Sequence, residues 1–416
     1  MTQQSRSLSY DCAVVGAGHT GLLLARLLAD QGLRVALLDK RPDPRTASAD
    51  AQRPAGWGLS VNLASVVAIR VAGLWDYLAE HAQPLAGMRV IDPATGQDVL
   101  YRASETGSEA LSWGIAGQDL VQGLQQAVFD QAAIDVFWDE DLIAHRFGAK
   151  ACRLICRSGL EIVCQLAVAA DGRQSPLRRA AELDGPKLDF KQVALAVGVA
   201  TEHSHAGEGF EILLPGGPLA FLPLPEGHPN KPSASVTWAL PNDRAEHWQS
   251  AATEAFAEAL GRHMPERLGE VRLATSFAAF PLTFSHAKRL AGKRLALIGD
   301  AAHGMHPIHA QGFNLAVRDV ARLAELLVLA HRHRQDVGGA ALLRRYQMSR
   351  LPDTLATGAF TSGFGLLSRS ANPLARGAIA SGAFLLKRLP VLRHALTRQG
   401  LGEVPDRPRL LRGLPL

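Results

Sequence analysis

The chain has 416 residues, more than one hydrophobic core usually serves, so two or three lobes are expected. Its 47% hydrophobic and 20% charged residues are ordinary for a globular protein. The formal net charge of +5 suits an anionic ligand or membrane surface, or plain solubility, and no basic-aromatic interleaving points to nucleic acid. Cys12, Cys152, Cys156 and Cys164 form no pair of close doublets of the kind that holds a metal. Three of them fall in an alternating apolar region, so buried reduced thiols in a reducing compartment are expected. The polar start runs into a strand with no signal peptide ahead of it, and no apolar run is long enough to span a bilayer. The expectation is a cytoplasmic protein, at most peripheral to the inner face of the membrane.

In chain order, "DCAVVGAGHTGLLLARLLADQGLRVALLDKR" predicts strand, glycine turn, helix, strand. Cys12 to Val15 is the short apolar run of a parallel strand buried on both faces. Gly21 opens a helix that Gly32 stops, and "RVALLD" returns as the second strand. Gly16, Gly18 and Gly21 make G-x-G-x-x-G: the first permits a tight turn, the second lets backbone approach a pyrophosphate, the third lets helix and strand pack. The pyrophosphate then meets the helix N-terminus, where free N–H groups and the dipole favour anions. Asp39 ends the second strand about 20 residues on, where a carboxylate accepts from ribose hydroxyls. This loop predicts an adenine dinucleotide without separating FAD from NAD(P).

A polar loop, "KRPDPRTASADAQRPAGWG", follows. "LSVNLASVVAIRVAGLWDYLAEH" reads as a helix, residues 85–103 as strands and "GQDLVQGLQQAVFDQ" as an amphipathic helix. Residues 134–170 alternate as hairpin strands and lead into "VAADGRQSPLRR". There Asp171-Gly172 follows a buried strand, and Ser175 and Pro176 have good helix-starting chemistry as N-cap and first helical residue. An isolated Asp-Gly is ordinarily only a turn. Residues 188–284 are strand-rich, interrupted by one helix, "RAEHWQSAATEAFAEALGRH".

"LALIGDAAHGMHPIHAQGFNLAVRD" then reads as a strand over Leu295 to Gly299 that rejoins the first sheet. Asp300 sits at its carboxyl end, where open α/β sheets bind ligands, and could hold the hydroxyls of a ribityl chain. His306-Pro307-Ile308 makes a bend, and Gln311-Gly312 opens a helix at Phe313-Asn314 whose N-terminus would stabilise negative charge on a ring. Everything after Gly312 is helical in pattern. The spacing of His303, His306 and His309 would put them on one face of a continuous helix, but Pro307 and the glycines break it, so no metal is expected. Packing or solvent contact is the ordinary role of all three. A general base is the sharper reading for His309, which lies where a substrate could reach.

Together, "GAGHTG", "AADGRQSPLR" and "GDAAHGMHPIHAQGFNLAVRD" resemble the three flavin signatures of class A flavoprotein aromatic hydroxylases. "HPIHAQGFNLAVRD" and "GFEILLPGGPLAFLPLP" are similar to the ubiquinone-biosynthesis hydroxylases within that group. The likeness spans nearly the whole chain and thins after about residue 370. His309-Ala310 stands where Ala-Gly is common in that subgroup, Ile212-Leu213 where Arg-Phe is common, and Asp39 where glutamate is frequent.

The resemblance implies an α/β fold, with a Rossmann-like FAD-binding domain of the para-hydroxybenzoate-hydroxylase kind, an inserted β-sheet substrate domain and a C-terminal helical segment. The expected boundaries are residues 1–84, 104–184 and 285–340 for the first, 85–103 and 185–284 for the second and 341–416 for the third. It implies that Gly16, Gly18 and Gly21 bind the FAD pyrophosphate and that Asp39, beside Lys40, binds the adenosine ribose. Arg53 and Gln118 would contact FAD, Asp171 would lie near the pyrophosphate and Asp300 would hold the ribityl chain. Pro307, Gly312, Phe313 and Asn314 would flank the isoalloxazine, Pro307, His309 and Gly312 would serve the reaction, and Phe221 and Pro223 would meet the substrate ring.

The flavin, reduced by NAD(P)H, would react with O2 to give a C4a-hydroperoxide that hydroxylates a phenolic ring, most closely a polyprenyl-phenol of ubiquinone biosynthesis. Two alternatives stand beside this. One is the same chemistry on a soluble aromatic, and the other is a non-catalytic FAD-holding subunit of a biosynthetic complex. The stretch "LARGAIASGAFLLKRLPVLRHALTRQG" is basic and amphipathic, with Phe384, Leu385, Leu386, Leu389 and Leu392 beside Lys387, Arg388, Arg393 and Arg398. It suits an anionic membrane face or packing on its own domain.

Overall fold

The computed structural model describes residues 7–46, 56–227, 231–368, 377, 381–382 and 388–416. Arg53 and residues 383–387 of the basic C-terminal stretch lie outside them. Among the described residues the strands form three sheets. The first has a parallel centre in the order Leu295–Leu297, Glu161–Ala169, Ser7–Val15, Val35–Leu38 and Ile134–Phe137. Cys12 aligns with both Val35 and Leu166, and Ala167 with Leu295, so the strands before the three sequence motifs lie side by side. Such strands are covered by helices on both faces, which is why they are apolar throughout. The helices His19–Ala29, Gly117–Phe129 and Gln311–Arg332 supply that cover, and their leucines join one core with the sheet. All four cysteines are buried free thiols, Cys156 being pushed up to about 12 by burial and by nearby Glu140.

The second sheet has nine strands and is almost wholly antiparallel. Its central strand, Lys187–Thr201, pairs with Ala234–Pro241 on one side and Ala278–His286 on the other. The sheet then continues through Gly217–Pro223, Glu208–Leu214, Gly87–Asp92 and Gln97–Arg102. Side chains alternate between its faces. Leu195, Val197, Phe210, Ile212, Phe221, Val236 and Trp238 pack with Phe256 and Leu260 of a covering helix. The intervening residues, among them Ala194, Ala196, Ala220 and Thr237, border a cavity.

Four local expectations change. Gly58–Asn62 is a strand paired with Ser112–Ala116, and the helix starts only at Leu63. Asn62 stops the strand by capping, its side chain accepting from Ser65 N at 3.0 Å. The single helix expected over 244–263 is two, Asn242–Ser250 and Thr253–Gly261, because the backbone turns extended at Ala251 and Ala252. The first helix begins at His19, with Gly18 as N-cap, so Gly21 lies inside it. Beyond Gly400 the chain is irregular apart from a short 3-10 turn at Leu410–Arg412, not helical as its pattern suggested. No helix among the described residues is long and apolar enough to cross a membrane.

Candidate functional site

A cavity of about 1850 Å³ is bounded by the glycine loop, the turn at Asp300, the start of helix Gln311–Arg332 and the second sheet. Gly16 has φ +107°, a value that only glycine adopts without strain, and a Cβ there would lie 2.4 Å from Ala170 O. A Cβ at Gly21 would lie 1.9 Å from Gly16 O, so this glycine lets the helix seat on the turn. Gly18 has nothing within 4 Å of its missing side chain and lines the cavity.

Asp39 holds the loop from the next strand. It accepts from Ala17 N at 2.6 Å and from the Arg41 backbone and guanidinium at 2.7–2.8 Å. Burial pushes its carboxyl up, but Arg41 and the amides outweigh this and keep it below the usual carboxylate range. Arg41 therefore shares Asp39, a partner that the sequence reading missed. Lys40 is exposed, and neither it, Asp39 nor Gln118 reaches the cavity wall.

Asp171 packs behind Gly16, its Cα 2.9 Å from where a Cβ would be. Its Oδ1 is buried without a hydrogen-bond partner among the described residues, and burial raises its pKa. Ser175 caps the following helix, accepting from Arg178 N at 3.0 Å. Buried Arg178 ties the two later motifs together, donating to Ala301 O at 2.9 Å and Arg173 O at 2.8 Å. Arg173 in turn donates to Asp300 at 3.1 Å. An arginine three residues past a capping serine, aimed back under the turn, was the signal available for Arg178.

The three histidines part company, since His303 is in a strand and His309 has a left-handed backbone at φ 58°. His303 Nε2 lies 2.6 Å from Asp319, which also accepts from Gly299 N at 3.1 Å and Arg350 at 2.8 Å. Burial opposes the charge on Asp319, yet His303 and Arg350 hold its carboxyl down at about 2. His306 meets the edge of Phe190, and His309 stacks on Phe360. Gly312 opens on the cavity, and Pro307 and Phe313 line it, with Phe313 edge-on to His19 at 5.0 Å. Asn314 lines the cavity as well, with its side-chain hydrogen bonds made to protein. Its amide donates to Ser60 O and Ala310 O, and its carbonyl accepts from Asn62 N and Ser65 Oγ, all at 2.8–2.9 Å. This side chain is committed to pinning the helix start onto strand Gly58–Asn62.

Phe221 and Pro223 need correction. Phe221 borders the cavity, but its ring is fully buried against Phe210 in the opposite core, and Pro223 is not in the cavity wall. Strand parity explains this, because residues one apart face opposite ways. Ala220 and Leu222 are the wall residues, with Met88, Val90, Tyr101 and Leu213. Burial raises the Tyr101 pKa.

These residues fit a dinucleotide: a turn with no room for a side chain at Gly16 or Gly21, a buried carboxylate oxygen left over, and a helix start open to the cavity. A family profile described as "FAD binding domain" matches residues 9–359. The chain belongs to this FAD-binding family. Among its relatives, "Ubiquinone hydroxylase UbiL" of Rhodospirillum rubrum is 33% identical, over 98% of this chain and 93% of the relative. "3-demethoxyubiquinol 3-hydroxylase" of Escherichia coli is 30% identical, over 82% of this chain and 86% of the relative. The solved structure of p-nitrophenol 4-monooxygenase PnpA from Pseudomonas putida shares the fold, with a TM-score of 0.76, 16% identity and coverage of 96% and 100% of the two chains. The family member described here is an FAD-dependent monooxygenase of the class A flavoprotein type, on the α/β fold expected for it.

Proposed function

We propose that the chain hydroxylates the phenolic ring of a polyprenylated intermediate of ubiquinone biosynthesis, with FAD resident, NAD(P)H as electron donor and O2 as co-substrate. The balance is Ar–H + O2 + NAD(P)H + H⁺ giving Ar–OH + H2O + NAD(P)⁺. The observation that carries this reading is the cavity. At about 1850 Å³ it exceeds the roughly 300–1,000 Å³ of a single-ligand site. Met88, Val90, Val99, Leu213, Phe360 and Leu367 give its wall a largely apolar lining around Glu211, His309 and Tyr101. Beyond a flavin and a ring, a prenyl tail would suit that apolar lining. The names of the two relatives point the same way.

When bound, the flavin supplies the oxygen activation. The protein's part is to bind, orient and keep out water. Gly16, Gly18 and Gly21 would cradle the pyrophosphate, Asp171 would lie beside it, and Asp39 would take the ribose. Asp300 would hold the ribityl chain. Pro307, Gly312 and Phe313 would flank the ring system, the helix start there favouring negative charge. His309 would act on the phenol. Exposed Leu389 and Val391, with exposed Arg388 and Arg398, suit contact with an anionic membrane that supplies the tailed substrate.

The test is turnover of a 2-polyprenylphenol in liposomes by the FAD-loaded protein with NAD(P)H, followed by mass spectrometry with isotopically labelled O2. One labelled oxygen in the product is expected, and a deletion strain should accumulate a prenylphenol lacking one hydroxyl. Faster turnover of untailed phenols, indifferent to liposomes, would overturn the tail. Asp300→Ala should purify colourless, and retained stoichiometric FAD would refute its ribityl role.

A further inference from the structure

Glu211 is a carboxylate in the wrong place for a structural residue. It sits in strand Glu208–Leu214, on the cavity face, between wall neighbours Leu213 and Ala220, and is only 3% exposed. A buried carboxylate among apolar side chains is costly unless paired. Facing it is His309, whose Nδ1 lies 3.4 Å from Glu211 Oε2, an ion pair once the imidazole is protonated.

His309 is held just as deliberately. It and Ala310 both have left-handed backbones, at φ 58° and 50°, a region that non-glycine residues rarely adopt. The imidazole stacks on Phe360 with ring centres 5.5 Å apart, and Phe364 lies 5.1 Å away. Its second nitrogen, Nε2, is buried with no hydrogen-bond partner among the described residues. Strain of this kind persists where the surroundings over-determine it, and an orphaned polar atom in a cavity wall asks for a ligand group.

We propose that Glu211 and His309 work as one proton-accepting pair: His309 takes the proton of the substrate's phenolic hydroxyl, and Glu211 is the positioning residue that sets the imidazole for it. The inference rests on the ring-hydroxylation reading above. Imidazole carries one proton when neutral, and the nitrogen that keeps it is set by the hydrogen bond the other makes. Glu211 draws that proton to Nδ1, which leaves the lone pair on Nε2. The phenolic O–H bond then breaks, its proton goes to Nε2, and its electron pair stays on the phenolate oxygen. The carboxylate stabilises the imidazolium until the proton returns to the product's oxygen. A phenolate ring is the better partner for an electrophilic oxygen atom.

Among the described residues, Tyr101 on strand Gln97–Arg102 feels the charges of both Glu211 and Arg393, the latter on helix Pro390–Gly400 and paired with Glu105 at 3.1 Å. Arg318, Arg350 and Asp353 also border the cavity. Phe360 and Phe364 contribute no charge.

The experiment uses FAD-loaded wild type, Glu211→Gln, Glu211→Asp and His309→Ala with the chromophoric probe 4-nitrophenol. Absorbance titration across pH reads the apparent pKa of the bound phenol, and flavin content and unfolding midpoint are measured in parallel. Wild type should bind the probe as phenolate below its free pKa. Glu211→Gln should raise the bound value by about one unit, a tenfold change in ionisation, with Glu211→Asp restoring part of it. His309→Ala should abolish the shift and lower kcat/KM by about 10². Variants that keep FAD and bind the probe with the wild-type titration overturn the pair, and wild-type turnover of a prenylphenol in that case leaves the reaction standing. A wild type that neither binds the probe nor turns over any phenol overturns the reaction and the pair together.

Discussion

Replacing Asp319 by asparagine removes one charge from beneath the Asp300 turn while keeping the side chain's shape. The carboxylate is fully buried and accepts from Gly299 N, His303 and Arg350. Two routes give the cost. Breaking a buried ion pair costs roughly 3–5 kcal/mol, and the lower end applies because Arg350 keeps Asp353 at 2.6 Å. The carboxyl is held at about 2 against an ordinary 3.8, which is worth roughly 2 kcal/mol. A loss of about 2–3 kcal/mol at neutral pH is therefore expected. Because the native-state value lies below the unfolded one, this stabilisation is complete above about 3.8 and is lost as pH falls towards about 2. Urea unfolding of the FAD-loaded protein, followed by far-UV dichroism and flavin release, reads the difference. The gap between wild type and Asp319→Asn should close across that acid window. A gap below about 0.5 kcal/mol at neutral pH, or one that persists in acid, would refute the buried-charge account.

Further outcomes can be stated from single residues. Gly16→Ala forces a Cβ to 2.4 Å from Ala170 O at φ +107°, so the flavin-to-protein absorbance ratio should collapse even where protein folds. Ala310→Gly should stabilise the apoprotein by about 1 kcal/mol in a denaturant titration, because glycine relieves a left-handed position. Val90→Phe narrows the apolar wall, so KM for a tailed phenol should rise roughly tenfold or more in steady-state assays, with short phenols little changed.

The backbone turns that would cradle the cofactor were legible because their grammar is local. A glycine that must take φ +107°, a serine that caps and a proline that opens a helix are each readable from a few adjacent letters. The substrate half was not. Choosing Phe221 and Pro223 over Ala220 and Leu222 needs the face of the strand, and a one-residue slip inverts it. Aromatic size suggested a ring contact, whereas the ring fills the other core. Asn314 read as a flavin neighbour because it follows Gly312-Phe313. It lines the cavity, and of its hydrogen-bond partners only Ala310 is local, whereas Ser60, Asn62 and Ser65 lie about 250 residues away and leave no local trace. Arg41 was missed although it lies only two residues from Asp39, because that carboxylate was read for its ribose contact alone. Glu211 stood in a motif used only for its likeness, and its meaning appears once His309 is opposite it.

The second sheet divides its labour by parity. Odd and even positions of one strand serve different masters: Phe210, Ile212 and Phe221 hold the lobe together, while Glu211, Leu213 and Ala220 shape the chamber. Several chamber positions are alanine, serine or threonine, side chains with volume to spare on one side and little weight in the lobe's cohesion. Such a wall can be rewritten one position at a time, exchanging one guest molecule for another, without disturbing what keeps the lobe folded.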